Sequence, residues 1–131
     1  MDTHIQQIKG IRPEQLSGAT YKTQSPNGVI FITINEDAEG NICEVFLNSG
    51  KNGSDIMAIA DALGRMISLI LRMQSPMSNE ERVGHIIKEL KGLGGSRHIG
   101  FGKETIKSFS DAVAKILERH YTTHKRITLK S

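Results

Sequence analysis

Residues 44–73 read EVFLNSGKNGSDIMAIADALGRMISLILRM, and the change of period inside this stretch decides the fold. Glu44, Phe46 and Asn48 alternate with Val45 and Leu47, the two-residue period of a half-buried strand. From Ser54 onward Ile56, Ile59, Ala60, Leu63, Met66, Ile67, Ile70 and Leu71 recur at three- and four-residue steps. That spacing defines one apolar face of a helix about four to five turns long, the longest amphipathic helix expected in the chain. Ala60, Gly64 and Ser68 stand four residues apart on it. Such small residues admit a close neighbour, either within the domain or from a second copy, so a homo-oligomer is one arrangement the pattern allows.

Gly50, Lys51, Asn52, Gly53, Ser54 and Asp55 connect the two elements. The glycines permit a tight turn, and Ser54 or Asp55 can cap the first free helix amides. The plain reading is a capped turn. The functional reading is contact with an anion or a partner, because exposed amides at a helix N-terminus and the charge of Lys51 favour phosphate. The spacing is not that of a P-loop, since Lys51 follows the first glycine and no lysine separates Gly53 from Ser54.

Working outward toward the N-terminus, residues 29–36 (VIFITINE) are rich in β-branched side chains and form the clearest strand. Asn27-Gly28 before it is a strong hairpin signal, which makes residues 20–24 the preceding strand. A polar turn at residues 37–41 returns the chain into the strand at residues 42–49. Three strands joined by short turns predict an antiparallel meander, with the long helix covering one face. Residues 1–11 are expected to form an arm ahead of Pro13.

In the other direction, Ser78 and Glu81 predict a capping box that opens a second helix through Leu90, with Val83, Ile86, Ile87 and Leu90 on one stripe. Gly92 is placed to end it. Residues 92–102 (GLGGSRHIGFG) hold five glycines, more than a connector needs. With Gly94, Gly95, Ser96, Arg97 and His98 this loop is the second candidate for contact with an anion, a ligand or a partner; an ordered structural loop is the plain alternative. Ser108 with Asp111 opens a third helix, whose stripe is Phe109, Ala112, Val113, Ile116, Leu117 and His120 and which is expected to end near Tyr121. Residues 122–131 carry Lys125, Arg126 and Lys130 and read as a basic tail expected to be mobile. His120 and His124 have the spacing of a helical metal pair, but no third ligand accompanies them, so no metal site is assigned.

The whole chain has 131 residues, a net charge of +3 and 37% hydrophobic residues. These values fit one α+β domain, residues 12–121, and no apolar run approaches the length of a membrane span. The N-terminus has no basic start followed by an apolar block, so a cytoplasmic location is expected. Cys43 is the single cysteine, which excludes an intrachain disulfide and reads as a strand-lining residue. No hydrolase elbow, dinucleotide fingerprint or zinc helix is present, and four Phe with two Tyr offer few platforms for stacking bases. The residues alone therefore favour a small binding or interaction domain, with no catalytic residue assigned.

A series of short matches then points to a family. Arg12-Pro13, residues 16–22 (LSGATYK), 31–37 (FITINED) and 44–48 (EVFLN) with Gly50-Lys51 resemble the TSCPD domain. The likeness continues through residues 62–65 (ALGR), 67–69 (ISL), 94–97 (GGSR), 99–102 (IGFG) and Ser108 with Asp111-Ala112, covering roughly residues 12–120. TSCPD domains occur toward the C-terminus of adenosylcobalamin-dependent, class II ribonucleotide reductases. The resemblance implies an accessory domain or small subunit of such a reductase, with a large chain as partner and adenosylcobalamin expected only on that chain. Cysteines that some relatives carry in the first hairpin and the late loop are replaced here by Asn27-Gly28 and Gly94-Gly95-Ser96, so no catalytic residue is carried over. Two alternatives stand beside it: a nucleic-acid-binding module, and a domain binding a nucleotide or other phosphate-bearing effector through Lys51, Arg97 and His98.

Overall fold

A computed structural model describes residues 12–26, 28–49, 55–94 and 105–130, with side chains as far as Thr123 in the last helix. Three antiparallel strands come first: β1 (Ser17–Ser25), β2 (Gly28–Glu36) and β3 (Ile42–Ser49). Three helices follow: α1 (Asp55–Arg72), α2 (Asn79–Leu90) and α3 (Phe109–Lys130). The sheet order is β1-β2-β3, the meander expected from the turns. Ser25 pairs with Gly28 across a two-residue hairpin, and the Ser25 hydroxyl donates to the Gly28 carbonyl at 2.9 Å. In the second turn Asp37 Oδ1 accepts from the amides of Glu39 and Asn41, each at 2.9 Å.

Alternation along the strands places Ile30, Ile32, Ile34, Val45 and Leu47 on one face, all buried. α1 packs over β3, and α3 packs over β1 and β2. Ala60, Ile67 and Leu71 of α1, Val83 of α2, and Val113 and Leu117 of α3 complete one core. α1 approaches β3 closely because its contact face is small. A Cβ on Gly64 would lie 3.1 Å from the Val45 carbonyl oxygen, and Ser68 Oγ accepts from the Val45 amide at 2.9 Å while donating to the Val45 carbonyl at 3.1 Å. The small-residue stripe thus serves packing within the domain, the first of its two expected uses.

Three expectations are corrected. β1 begins at Ser17, three residues before the strand expected at Thr20, because its register with β2 runs out to Glu36. The apolar positions of α1 do not share one buried face: Ala60, Ile67 and Leu71 are covered, whereas Ile59, Met66 and Ile70 are exposed. Last, α3 does not end near Tyr121 but continues to Lys130, so at 22 residues it is longer than the 18-residue α1. No glycine or proline follows Tyr121 in the sequence, and threonine alone does not stop a helix.

Ser78 caps α2 by accepting from the Glu81 amide at 3.1 Å. The return half of the box differs from the usual form, since the Ser78 hydroxyl lies 3.4 Å from Glu81 Oε1. Arg82 closes the opposite end of α1: its Nη1 donates to the carbonyls of Ile70, Leu71 and Met73 at 3.1, 2.9 and 2.7 Å. On the uncovered side of the sheet, Glu44 is buried beneath Arg12, which meets it with Nε at 3.0 Å and Nη2 at 3.1 Å, while Asn35 donates at 2.9 Å. Burial pushes the Glu44 carboxyl up, but the bonds from Arg12 and Asn35 and the charges of Arg12 and Arg72 outweigh it and hold it below the usual range.

Candidate functional site

Asp111 is fully buried in the first turn of α3. Its Oδ1 accepts from the Gly92 amide and its Oδ2 from the Lys107 amide, both at 2.8 Å, and Lys115 Nζ adds an ion pair at 2.9 Å. Lys115 also reaches the Thr105 carbonyl. Ser108 caps α3 by accepting from the Asp111 amide at 3.0 Å, and its hydroxyl donates to the Leu93 carbonyl at 2.5 Å. Gly94 packs so tightly on Lys107 that a Cβ there would come within 2.6 Å of the Lys107 carbonyl oxygen. One carboxylate and one hydroxyl therefore tie together the two ends of the glycine-rich loop. Burial alone would raise the Asp111 carboxyl; the two amides and Lys115 overcome it and keep it below the ordinary aspartate value.

Beside this clamp, a cleft of about 430 Å³ opens between β1, the end of α2 and α3. Ile106, Ala112 and Ile116 supply apolar wall, and Thr23, Thr122 and Thr123 supply hydroxyls. Lys91, Lys115 and Arg119 bring positive charge. Lys91 is paired with Glu118 at 2.9 Å and Lys115 with Asp111, whereas no ion pair joins Arg119 to a carboxylate among the described residues. Among the described residues, Glu118 and Asp111 counted against the three cations leave an excess positive charge, which suits an anionic group.

Deeper under the sheet, the Tyr21 hydroxyl and His120 Nδ1 are 2.6 Å apart, and His120 Nε2 lies 3.4 Å from Glu36 Oε2. His120 is buried, so it belongs to a network that joins α3 to β1 and β2. Burial and the charge of Glu36 push the Tyr21 phenol up, with Arg119 opposing them. Tyr121, the next residue on α3, is pushed up to about 12 by burial and by its hydrogen bond to Glu80. Cys43 is half-buried, and burial followed by the charge of Asp37 raises its thiol, the opposite of what a nucleophile needs.

Of the residues expected to make contacts, Gly94 is described and sits in the Asp111 clamp. Gly50, Lys51, Asn52, Gly53 and Ser54 lie outside the described residues, as do Gly95, Ser96, Arg97 and His98. Their flanks are informative. Thr23, Ile30 and Ser49 form one row across the sheet, so the chain leaves β3 toward residue 50 at the hairpin end. Thr23 also shares the cleft wall with Lys91 and Ile106, which flank the second loop. Thr23 thus links the last residue of β3, on its own row of the sheet, with Lys91 and Ile106 in the cleft wall, a juxtaposition that sequence spacing does not reveal. Sequence reading saw Asp111 as part of a helix start and did not see the clamp, because its partners are backbone amides contributed by Gly92 and Lys107. His120 was noted at the end of an apolar stripe and for its metal-pair spacing with His124, not for this network; Tyr21, its partner, is 99 positions away.

A comparison with protein families matches residues 4–121 to the TSCPD domain. The match spans most of the chain, and the protein belongs to the TSCPD-domain family. Comparisons with curated proteins and with solved structures returned no match. Among the described residues, no helix is long and apolar enough to cross a membrane.

Proposed function

We propose that the chain is a non-catalytic accessory domain or small subunit of a vitamin B12-dependent ribonucleoside-diphosphate reductase, acting in deoxyribonucleotide synthesis by contact with a large chain that carries adenosylcobalamin. The observation that carries this reading is the TSCPD match over residues 4–121, joined to the resemblance of those residues to domains near the C-terminus of class II reductases. The cleft and the Asp111 clamp support this reading. A cleft lined by Thr23, Lys91, Lys115 and Arg119 opens beside the residues that flank the second glycine-rich segment, and Asp111 ties Gly92 to Lys107 there. A tagged full-length chain, captured from its native lysate after nuclease treatment, is expected to bring down a large reductase chain identified by mass spectrometry. Arg119→Glu is expected to reduce that recovery. Capture of no reductase chain, with nucleic acid recovered only when nuclease is omitted, would overturn the reading in favour of a nucleic-acid-binding module.

The cleft favours one second reading, an effector site for a phosphate-bearing ligand. Thr23, Thr122 and Thr123 hydroxyls beside Arg119 suit phosphate oxygens. Calorimetric titration with nucleoside triphosphates tests it: saturable heat that disappears in Arg119→Ala supports a site in the cleft, and no heat removes it.

A further inference from the structure

We propose that the side of the sheet turned away from the helices is the docking surface for the chain's own N-terminal arm, residues 1–11, with Phe31 and Phe46 as the patch it covers. On that side Asn35 and Glu44 form the first row across β2 and β3, Thr33 and Phe46 the second, and Phe31 and Asn48 the third. Phe46 is 50% exposed and Phe31 36%. They are diagonal neighbours on adjacent strands, about 7–8 Å apart, so they make one apolar patch rather than two scattered rings. Among the described residues, the helices meet the sheet on its other side, that of Ile32, Ile34 and Val45.

The path of the chain selects the occupant. Arg12, where the described chain begins, meets the two carboxylate oxygens of buried Glu44 with Nε at 3.0 Å and Nη2 at 3.1 Å, and its Nη1 donates to the Pro13 carbonyl at 2.7 Å. Because one guanidinium grips both Glu44 and the Pro13 carbonyl, the backbone there is held beside the first row of the open side. Residues 1–11 lie outside the described residues, and they are joined to the fold at that point. Phe46 is one row further along and Phe31 two, about 7 and about 14 Å at roughly 3.4 Å per residue. A segment of this length spans about 16 Å at the helical rise and more when extended, enough to reach both rings. Ile5, Ile8 and Ile11 give it three large apolar side chains. A tethered segment also meets the patch at an effective concentration that a separate chain lacks, without losing the free motion of a second molecule. The family match starts at residue 4, well ahead of β1, so most of the arm belongs to the matched domain. This surface lies on the opposite side of the sheet from the core and does not depend on the reductase reading.

The test is a double-mutant cycle on the full chain, read by urea unfolding. One variant is Phe46→Ser, another Ile5→Ser with Ile8→Ser, and a third combines them. Far-UV circular dichroism should show that each keeps its fold, since Phe46 is half exposed and the isoleucines precede the sheet. If the arm covers the patch, the two losses overlap: the combined variant's rise in unfolding constant should fall short of the product of the separate rises by at least about fivefold. Position is read from a nitroxide on Gln7→Cys in a Cys43→Ser background. Amide signals of residues 31–33 and 46–48 should broaden, and those of α2 should not. Additive losses would overturn the inference, as would broadening confined to the helices. Broadening in a mixture of spin-labelled chain with unlabelled, isotope-enriched chain would put a second copy's arm on the patch and overturn docking within one chain.

Discussion

On the side of α1 that meets β3, Ala60, Gly64 and Ser68 bring backbone against backbone. On the side that faces away, Ile59, Met66, Ile70 and Met73 hold large apolar side chains in the open. The inner side is made specific by small residues and a hydroxyl that answers both polar groups of Val45. The outer side has more hydrophobic volume and contributes little to the fold of one chain. Bulk hydrophobicity thus does not identify the packed face of this helix; close approach does. The Asp111 clamp follows the inner side's logic, a buried polar group met from several directions.

Substitutions should separate these surfaces by size of effect. Asp111→Ala removes the buried acceptor shared by the Gly92 and Lys107 amides and Lys115, and is expected to cost about 3–5 kcal/mol in denaturant unfolding, the largest loss in the set. Gly64→Val drives a branched side chain toward the Val45 carbonyl oxygen and the Leu47 amide, 3.1 and 3.3 Å from the new Cβ, and should cost about 3 kcal/mol, read from thermal or urea melts. Ser68→Ala removes the hydroxyl that bonds both polar groups of Val45 and is expected to cost about 2 kcal/mol by the same measurement. Arg82→Ala, which frees the last carbonyls of α1, should cost about 1 kcal/mol. Met66→Ala, at an exposed position, should change stability by no more than about 0.5 kcal/mol. A large loss there would erase the contrast between the two sides.

Acid sharpens the same comparison. Asp111 and Glu44 are both held below their ordinary values in the folded chain. Their contribution is present above the unfolded values, about 3.9 for Asp and about 4.3 for Glu, and is lost as pH falls through the lower folded values. Stability measured from pH 6 downward, about the range that brackets both groups, should therefore drop at the acid end. Asp111→Asn should lie below wild type near neutrality and show a shallower acid slope.

Much of the fold was legible because its signals are local. β-branched alternation marked β2, Asn27-Gly28 marked the hairpin, and Ser78 marked the start of α2. The family was legible as well, from an ordered run of short matches that the family comparison reproduces over residues 4–121. What the sequence could not show was which of two adjacent apolar stripes on α1 is covered. Both obey a three-four spacing, and only the approach of β3 to Gly64 distinguishes them. Likewise Asp111 looks like any residue in a helix's first turn until the chain brings the Gly92 and Lys107 amides to it. Of the two glycine-rich candidate segments, the structure speaks to Gly94 and to flanking residues alone.

The measurement that tests the account most directly is amide hydrogen exchange of the full chain with and without the purified large reductase chain. If the proposed partnership holds, the reductase chain should slow exchange in the β1–β2 hairpin, in residues 91–94 and in the segment leading into α3, with the β3-facing core unchanged. Unaltered exchange at that end of the sheet, with the two chains mixed well above the concentration range of a specific complex, would contradict it.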